Sequence, residues 1–351
     1  MRLHELLRGG GSATDRARTL RIEASPNYAG GRFLNPEPTR KVLAGSLFRT
    51  LARQLLGGEQ RVPKGSLPIE AISSRVFDRA PATGLRVTWL GHSSVVLEID
   101  GRRLLLDPVW AERVSPVSFA GPKRFHPPPL PLDELPALDA IIISHDHYDH
   151  LDRSVIRALG ATGVPFITSL GVGARLERWD VAPQRITELD WGQSTLVENL
   201  TVTATPARHF SGRGVIDADT TLWASWVIAG PQNRVFFTGD TGYFSGVAQI
   251  GERYGPFDAT LIKIGAYGPT WPDIHLTPED AVRVHLAVRG KVLVPVHWGT
   301  FNLAFHPWNE PPERLLAAAR AEGITVMIPR PGQQVEPGAS NSLVPWWRSV
   351  G

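Results

Sequence analysis

A cluster of metal-ligand side chains constrains the fold of this chain more than any other feature of the sequence. Residues 144–150 read Ser-His-Asp-His-Tyr-Asp-His and directly follow the apolar stretch Ala140–Ile143, which predicts a buried strand. Three histidines and an aspartate therefore leave one strand end together: His145, His147, Asp149 and His150. Burying four such polar groups without a partner costs free energy, so the cluster predicts a metal site.

The spacing within this cluster favours two neighbouring metal ions. In an extended chain the side chains alternate, so His145, His147 and Asp149 are expected on one face. His150 is then expected to enter a helix that Asp152 caps. A single tetrahedral ion does not readily take four ligands from so short a run. The chain contains no cysteine, so its metal ligands are expected to be histidines and carboxylates.

Three further ligand-type residues also follow predicted strands. His209 lies just beyond the strand Thr201–Thr205, Asp240 ends the run FFTGD, and His297 ends the run VLVPVH. Loops at strand ends are where a rigid sheet carries its functional side chains. A lone histidine in such a place is more often an ordinary hydrogen-bonded residue, but the dense cluster makes the metal-ligand interpretation the favoured one for all three.

The strand and helix pattern predicts an α/β protein with mixed sheets covered by helices. The early strands are joined as hairpins, with an Asp-Gly turn at Asp100 and Gly101 between apolar runs. The later strands alternate with helical patterns at Arg153–Leu159, Pro278–Val288 and Pro312–Glu322. The composition, 42% hydrophobic and 20% charged, excludes a disordered chain and a coiled coil.

Residues 1–85 differ from the rest and are predicted to form a basic, amphipathic segment on the core, with the catalytic domain over residues 86–351. Within residues 1–60 there are ten Lys/Arg and five Asp/Glu, whereas the whole chain has 37 and 34. Over residues 41–56 the leucines recur every four positions, which predicts a basic amphipathic helix. Such a helix either contacts a membrane surface or packs on the core. This charge distribution does not favour a nucleic-acid partner.

The sequence shows neither a signal peptide nor a membrane-spanning apolar stretch. The chain is therefore expected in the cytoplasm, with peripheral membrane contact through residues 41–56 as a further hypothesis. Oligomer formation is compatible with the sequence.

Several motifs resemble known proteins. The segment SHDHYDHLD, with His209, Asp240 and His297, resembles the metallo-β-lactamase superfamily, whose fold is a four-layer αβ/βα sandwich with metals at one edge of the two sheets. Longer blocks are similar to the N-acylphosphatidylethanolamine-hydrolysing phospholipase D family: VTWLGHSSVVLEIDG, DPVWAERVSPVSFAGPKRFHPPP, FFTGDTGY, GPFDATLIKIGAY and HWGTFNLAFHPWNEPPERL. HWGTF followed by EPP, together with GPKRF, is the most specific part.

This resemblance implies two zinc ions per chain. One zinc would take His145, His147 and His209, and the other Asp149, His150 and His297. Asp240 would bridge them, since a carboxylate can join two cations whereas an imidazole ends on one. The resemblance also places Tyr148 and His275 beside the site as catalytic candidates that contact the phosphate. The alternative interpretation of Tyr148 is a packing residue, and that of His275 is a residue at the entry to a helix. Asp107 is either a carboxylate that orients a ligand imidazole or a strand-end cap.

The implied activity is hydrolysis of an N-acylated phosphatidylethanolamine to phosphatidic acid and an N-acylethanolamine. A hydroxide shared by the two zincs would be the nucleophile, because coordination lowers the pKa of bound water. The leaving alkoxide needs a proton, for which Asp149 and His275 are the candidates.

Two other interpretations stay open. The first is an enzyme of the same fold that hydrolyses a soluble nucleotide phosphodiester, lactone or amide. The second is a binding protein without catalysis, although all seven ligands are present. A β-lactamase is disfavoured. Two residues depart from the family pattern: Lys263 places a cation in an apolar strand, and Ile274 precedes His275. They raise the hypothesis of a changed headgroup preference.

Overall fold

Two seven-stranded β-sheets share one apolar core. The computed structural model describes residues 13–43, 58–214, 216–341 and 343–350. The first sheet has the order β16-β3-β4-β5-β6-β7-β8. Its strands are β3 (Leu85–Gly91), β4 (Ser94–Ile99), β5 (Arg102–Leu106), β6 (Ala140–Ile143), β7 (Phe166–Ser169), β8 (Ile186–Leu189) and β16 (Gln334–Val335).

The second sheet has the order β15-β14-β13-β12-β11-β10-β9. Its strands are β9 (Ser194–Val197), β10 (Leu200–Thr205), β11 (Ser225–Ala229), β12 (Arg234–Phe237), β13 (Phe257–Lys263), β14 (Gly290–Val296) and β15 (Thr325–Val326). In both sheets three antiparallel pairings are followed by three parallel ones. The pairing changes at β5 in the first sheet and at β12 in the second.

Strand residues are buried on both faces of the first sheet. On β4, Val95 and Leu97 belong to the core between the sheets, whereas Val96 packs on the outer face. The same alternation on β6 sends Ile142 inward and Ile141 outward, as the two-residue period of a strand requires. Both faces of the first sheet are therefore apolar, and its outer face needs a cover of helices.

Helices supply that cover on both sides. On the first sheet, α2 (Arg153–Gly160) buries Val155 and Ile156 against the outward residues of the strands. The other helices of the domain are α3 (Gly173–Glu177), α4 (Val247–Tyr254), α5 (Pro278–Ala287) and α6 (Glu310–Glu322). Of these, α5 packs on β13 and β14 of the second sheet and contacts α4 and α6. The helices predicted at Arg153–Leu159, Pro278–Val288 and Pro312–Glu322, the cap by Asp152 and the hairpin turn at Asp100 are confirmed.

The described N-terminal residues lie against the two sheets. Helix α1 (Ala13–Glu23) is held by Arg18, whose guanidinium donates to Glu188 over 2.7 Å and to Glu177. Strands β1 (Tyr28–Ala29) and β2 (Arg32–Phe33) form a short hairpin. The predicted amphipathic helix over residues 41–56 lies almost wholly outside the described residues. Within the described part of the chain, no helix has the length and apolarity to cross a bilayer.

Candidate metal centre

Strand ends from both sheets converge on one buried cluster of histidines and aspartates. The first sheet contributes residues from the β3–β4 turn and from the loop after β6, and the second sheet contributes residues that follow β10, β12 and β14. All seven predicted ligands are found there: His145, His147, Asp149, His150, His209, Asp240 and His297. The predicted placement of these residues at strand ends therefore agrees with the structure.

The expected alternation of side chains holds over residues 145–147 but not beyond them. Strand β6 ends at Ile143, and the chain then enters a turn in which the backbone N–H groups of His150 and Leu151 both donate to the carbonyl of His147. Asp146 points away from the cluster, where its carboxylate accepts hydrogen bonds from Arg175 and the Gly212 N–H. Alternation places His145 and His147 together, and the turn then adds Asp149 and His150.

The ligand-type atoms form two neighbouring groups. In the first group, His145 Nε2 lies 2.8 Å from His147 Nδ1, which is 3.3 Å from His209 Nε2. In the second group, Asp149 Oδ2 lies 3.5 Å from His150 Nε2 and 3.4 Å from His297 Nε2. Each group offers at least three ligand-type residues, and a catalytic zinc site commonly takes three ligands from protein.

Asp240 lies between the two groups and faces both. Its Oδ1 is 3.1 Å from His297 Nε2 and 3.5 Å from His150 Nε2, whereas its Oδ2 is 3.6 Å from His209 Nε2. The side chain is only 2% exposed. One carboxylate oxygen is thus directed at each group.

The chemistry of these buried atoms fits metal ions. His150 Nε2 and His297 Nε2 are buried and have no hydrogen-bond partner among the described residues, an arrangement that is costly unless another ligand completes it. Burial and the neighbouring histidines lower the pKa of His145 well below its usual value, so this imidazole is neutral, as a metal ligand must be. Burial alone raises the pKa of Asp240. The nearby His297 and Lys263, with other neighbours, outweigh this effect and lower the pKa well below its ordinary range.

Asp107 contacts both a ligand-type imidazole and the end of the neighbouring strand, so it meets both of its predicted roles. Its carboxylate accepts hydrogen bonds from the Ser144 N–H over 2.7 Å, from Ser144 Oγ over 2.6 Å and from His150 Nδ1 over 2.6 Å. The Nδ1–H of His150 is therefore engaged, and Nε2 is left for a metal. A carbonyl plays the same part for His209, whose Nδ1 is 3.0 Å from the oxygen of Ile274.

His92 belongs to the site but was missed in the sequence analysis. It lies in the tight turn between β3 and β4 with φ 51°, and its Nε2 is 2.9 Å from Asp149 Oδ2. Its carbonyl accepts the backbone N–H of His297 over 2.8 Å. The sequence signal was a histidine after a buried strand, in WLGHSS, which has no ligand spacing of its own.

Tyr148 is not among the ligand groups. Its hydroxyl donates to the carbonyl of Arg213 over 3.1 Å, and the Arg213 guanidinium lies 3.7 Å from its ring centre. The ring also packs beside Val109 and Phe301. These contacts are those of a packing residue, and the catalytic role of Tyr148 stays a prediction.

His275 and Lys263 lie on the other side of Asp240. His275 forms a third group with His209 and Asp240, in which its Nδ1 is 3.6 Å from Asp240 Oδ2. Lys263 is fully buried at the end of β13, with its Nζ 3.2 Å from Asp240 Oδ1. Burial lowers the pKa of Lys263 to about 8, while Asp240 acts in the opposite direction.

A cavity of about 440 Å³ opens beside His275. Its walls are partly apolar, with Pro269, Pro272 and Phe305, and partly polar, with Tyr267 and Arg314. The Tyr267 hydroxyl donates to Glu310 over 2.6 Å, and the Arg314 guanidinium lies 4.8 Å from the Tyr267 ring centre. This cavity is large enough to hold part of a substrate next to the metal centre.

Comparison with known proteins identifies the superfamily. A family model described as a beta-lactamase superfamily domain matches residues 102–298, more than half of the chain. The chain belongs to this superfamily. It is 52% identical over 331 residues to an uncharacterized protein of Mycobacterium tuberculosis, with 93% of this chain and 88% of that protein covered.

Two other similarities bear on the enzyme class and on the fold. The chain is 37% identical over 269 residues to N-acyl-phosphatidylethanolamine-hydrolyzing phospholipase D 1 of Caenorhabditis elegans, covering 73% of this chain and 75% of that protein. The structure of Igni18, a novel metallo hydrolase from Ignicoccus hospitalis, aligns with a TM-score of 0.55 and 25% identity over 72% of this chain and 97% of that one. The predictions of a metallo-β-lactamase fold and of a metal-dependent hydrolase are confirmed.

We expect Asp107→Asn to weaken metal binding about 10–100-fold, the usual effect of losing an outer partner of a ligating histidine. The substitution keeps the shape of the side chain but takes a hydrogen-bond acceptor from His150 Nδ1. Competition with a chromophoric chelator measures the affinity. Asp152→Asn is the matched control, because Asp152 is also buried but accepts from the backbone N–H groups of Trp110, Ala111 and Ser154. Equal affinities in Asp107→Asn and the unsubstituted protein would contradict the orienting role.

Proposed function

We propose that this protein is a dinuclear zinc phosphodiesterase that hydrolyses N-acylated phosphatidylethanolamine. The observation that carries the proposal is the position of Asp240, whose two carboxylate oxygens face two separate groups of three ligand-type residues. A carboxylate shared in this way is suited to two cations. Zinc is proposed because imidazole and carboxylate ligands suit it and because the sequence blocks resemble a zinc-dependent family.

The proposed ligands divide between the two groups. His145, His147 and His209 would hold one ion, Asp149, His150 and His297 the other, and Asp240 both. When bound, two zinc ions supply an activated water as nucleophile and neutralise charge that develops on the phosphoryl oxygens. The protein residues around them hold the ligands: Asp107 fixes His150, and His92 fixes Asp149 through its Nε2.

The substrate class rests on two observations. The relative from Caenorhabditis elegans carries this activity in its name, and this chain covers three quarters of that protein at 37% identity. The cavity beside His275 has the apolar wall that an acyl chain requires, formed by Pro269, Pro272 and Phe305. We therefore propose a phospholipid as the partner that enters the site.

A soluble phosphodiester, lactone or amide is the second candidate. It is favoured by the polar wall of the same cavity, where Tyr267, His306, Glu310 and Arg314 lie together. Such groups recognise a polar substrate, and a shared fold does not fix the substrate.

An activity screen separates these candidates. Purified zinc-loaded protein is tested with N-acylphosphatidylethanolamine micelles, bis-p-nitrophenyl phosphate and a lactone, with product identified by mass spectrometry. Release of N-acylethanolamine and phosphatidic acid is the expected result. Turnover of the lactone alone, with both phosphodiesters left intact, would overturn the phosphodiesterase assignment.

We expect two metal ions per chain. The seven ligand-type groups come from four strand ends and divide into two sets around Asp240. Elemental analysis of protein purified without a chelator should approach two equivalents. Saturation at one equivalent, with His150 or His297 replaceable at no loss of metal, would exclude the dinuclear centre.

Asp240→Asn is expected to be the most damaging substitution of a single ligand. Asparagine keeps the shape but removes the negative charge that offsets the repulsion between two cations. Hydrolysis should fall further than in His145→Asn or His209→Asn, each of which removes a ligand from one group only. Comparable activity in all three variants would show that another group joins the two ions.

We also propose that residues 41–56 contact the membrane; apart from residues 41–43, this segment lies outside the described residues. Replacing Leu47 and Leu51 with Ser should weaken binding to anionic vesicles, because each Leu moved into an apolar phase contributes about 1.5–3 kcal/mol. Melting temperature and hydrolysis of a soluble phosphodiester should stay nearly unchanged. A large fall in melting temperature with unaltered vesicle binding would instead identify a core helix, because replacing a buried leucine with a smaller residue leaves a cavity.

A further inference from the structure

Lys263 is a buried cation in the wall of the metal centre. Its side chain is 0% exposed, and it ends β13. Burying an ammonium group is costly unless a carboxylate or another hydrogen-bond acceptor receives it. The surroundings of this lysine therefore indicate what it does.

The Lys263 ammonium group forms an ion pair with Asp240 and a hydrogen bond with His275. Its Nζ lies 3.2 Å from Asp240 Oδ1, and it also donates a hydrogen bond to His275 Nδ1. The first contact compensates the charge. The second contact joins the lysine to the one histidine of the cluster that also lines the substrate-sized cavity.

The hydrogen bond at Nδ1 determines how His275 presents its ring. A neutral imidazole has one N–H and one acceptor nitrogen, so an Nδ1 that accepts from an ammonium leaves the proton on Nε2. The side chain of His275 is 14% exposed, and its Nε2 has no hydrogen-bond partner within the described ranges. His275 therefore offers an Nε2–H donor to the cavity.

We propose that Lys263 is a positioning residue that holds His275 in the Nε2–H tautomer, with this N–H donating a hydrogen bond to the leaving oxygen of the substrate. The inference rests on the proposed phosphodiesterase function. It also explains why β13 ends in a cation: the ammonium serves His275 as well as Asp240.

The leaving oxygen provides the first test. An alkoxide leaving group, as in N-acylphosphatidylethanolamine, depends on a hydrogen-bond donor far more than p-nitrophenolate does. Lys263→Met, which removes the donor at similar volume, should lower kcat for N-acylphosphatidylethanolamine on the order of 100-fold, the effect of misplacing one catalytic group. Turnover of bis-p-nitrophenyl phosphate should fall much less, because only the lost contact with Asp240 affects both substrates. An equal loss on both substrates would overturn the proposal, because it would assign Lys263 to the centre as a whole.

A double-mutant cycle tests whether the lysine acts through the histidine. His275→Gln should show the same dependence on the leaving group, and adding Lys263→Met to it should not change further the ratio of activities on the two substrates. Additive changes in this ratio would overturn the coupling. Thr260→Val is the matched control: Thr260 is buried on the same strand, and its Oγ1 is 2.8 Å from Nδ1 of a different histidine, His285. Any effect of Thr260→Val on activity should be the same for both substrates.

Nuclear magnetic resonance determines the tautomer of His275 independently of any activity measurement. In zinc-loaded protein with ¹⁵N-labelled histidine, the His275 signals should show a protonated Nε2 and an acceptor Nδ1. Lys263→Met should shift them towards a mixture of tautomers. A protonated Nδ1 in the unsubstituted protein, or loss of one metal equivalent in His275→Gln, would overturn the assignment. If the protein hydrolysed no phosphodiester, the proposed function would fail while this measurement still tested the lysine–histidine contact.

Discussion

The buried carboxylate of Asp240 is the contact around which the rest of the centre is arranged. Its charge lies in a nearly dry environment, so the groups around it must compensate it, and they come from both sheets. His150 arrives from the first sheet, His209 and His297 from the second, and Lys263 from the strand next to its own. Each element that carries one of these residues must end close to this carboxylate.

A second set of contacts makes the ligand geometry rigid. Asp107, the carbonyl of Ile274 and His92 each form a hydrogen bond with a ligand-type side chain. Without these bonds the side chains would be free to rotate. His92 performs this role from a left-handed turn, and its carbonyl also accepts the N–H of His297. Outer partners of this kind keep ligand atoms in place before a metal arrives.

Much of this arrangement was predictable because apolar periodicity and ligand-type residues occurred together. Strands such as Ala140–Ile143 are uninterrupted apolar runs, so the positions of the residues that follow them were readable from the chain. The turn at residues 147–150 was not predictable from alternation, because backbone hydrogen bonds to the His147 carbonyl replaced the extended form. His92 was missed because its role depends on a contact with Asp149, 57 residues away along the chain.

The repeated pairing pattern of the two sheets has a consequence for how the centre is divided. In each sheet the pairing changes from antiparallel to parallel at one strand, and an aspartate follows that strand: Asp107 after β5 and Asp240 after β12. The two sheets therefore have the same layout but contribute different side chains to the centre. The strand after the change is β6 in the first sheet, which leads into the histidine cluster, and β13 in the second, which ends in Lys263. Neither half alone contains a complete ligand set. A metal ion bound at this centre would therefore join the two halves of the molecule as well as the side chains within each.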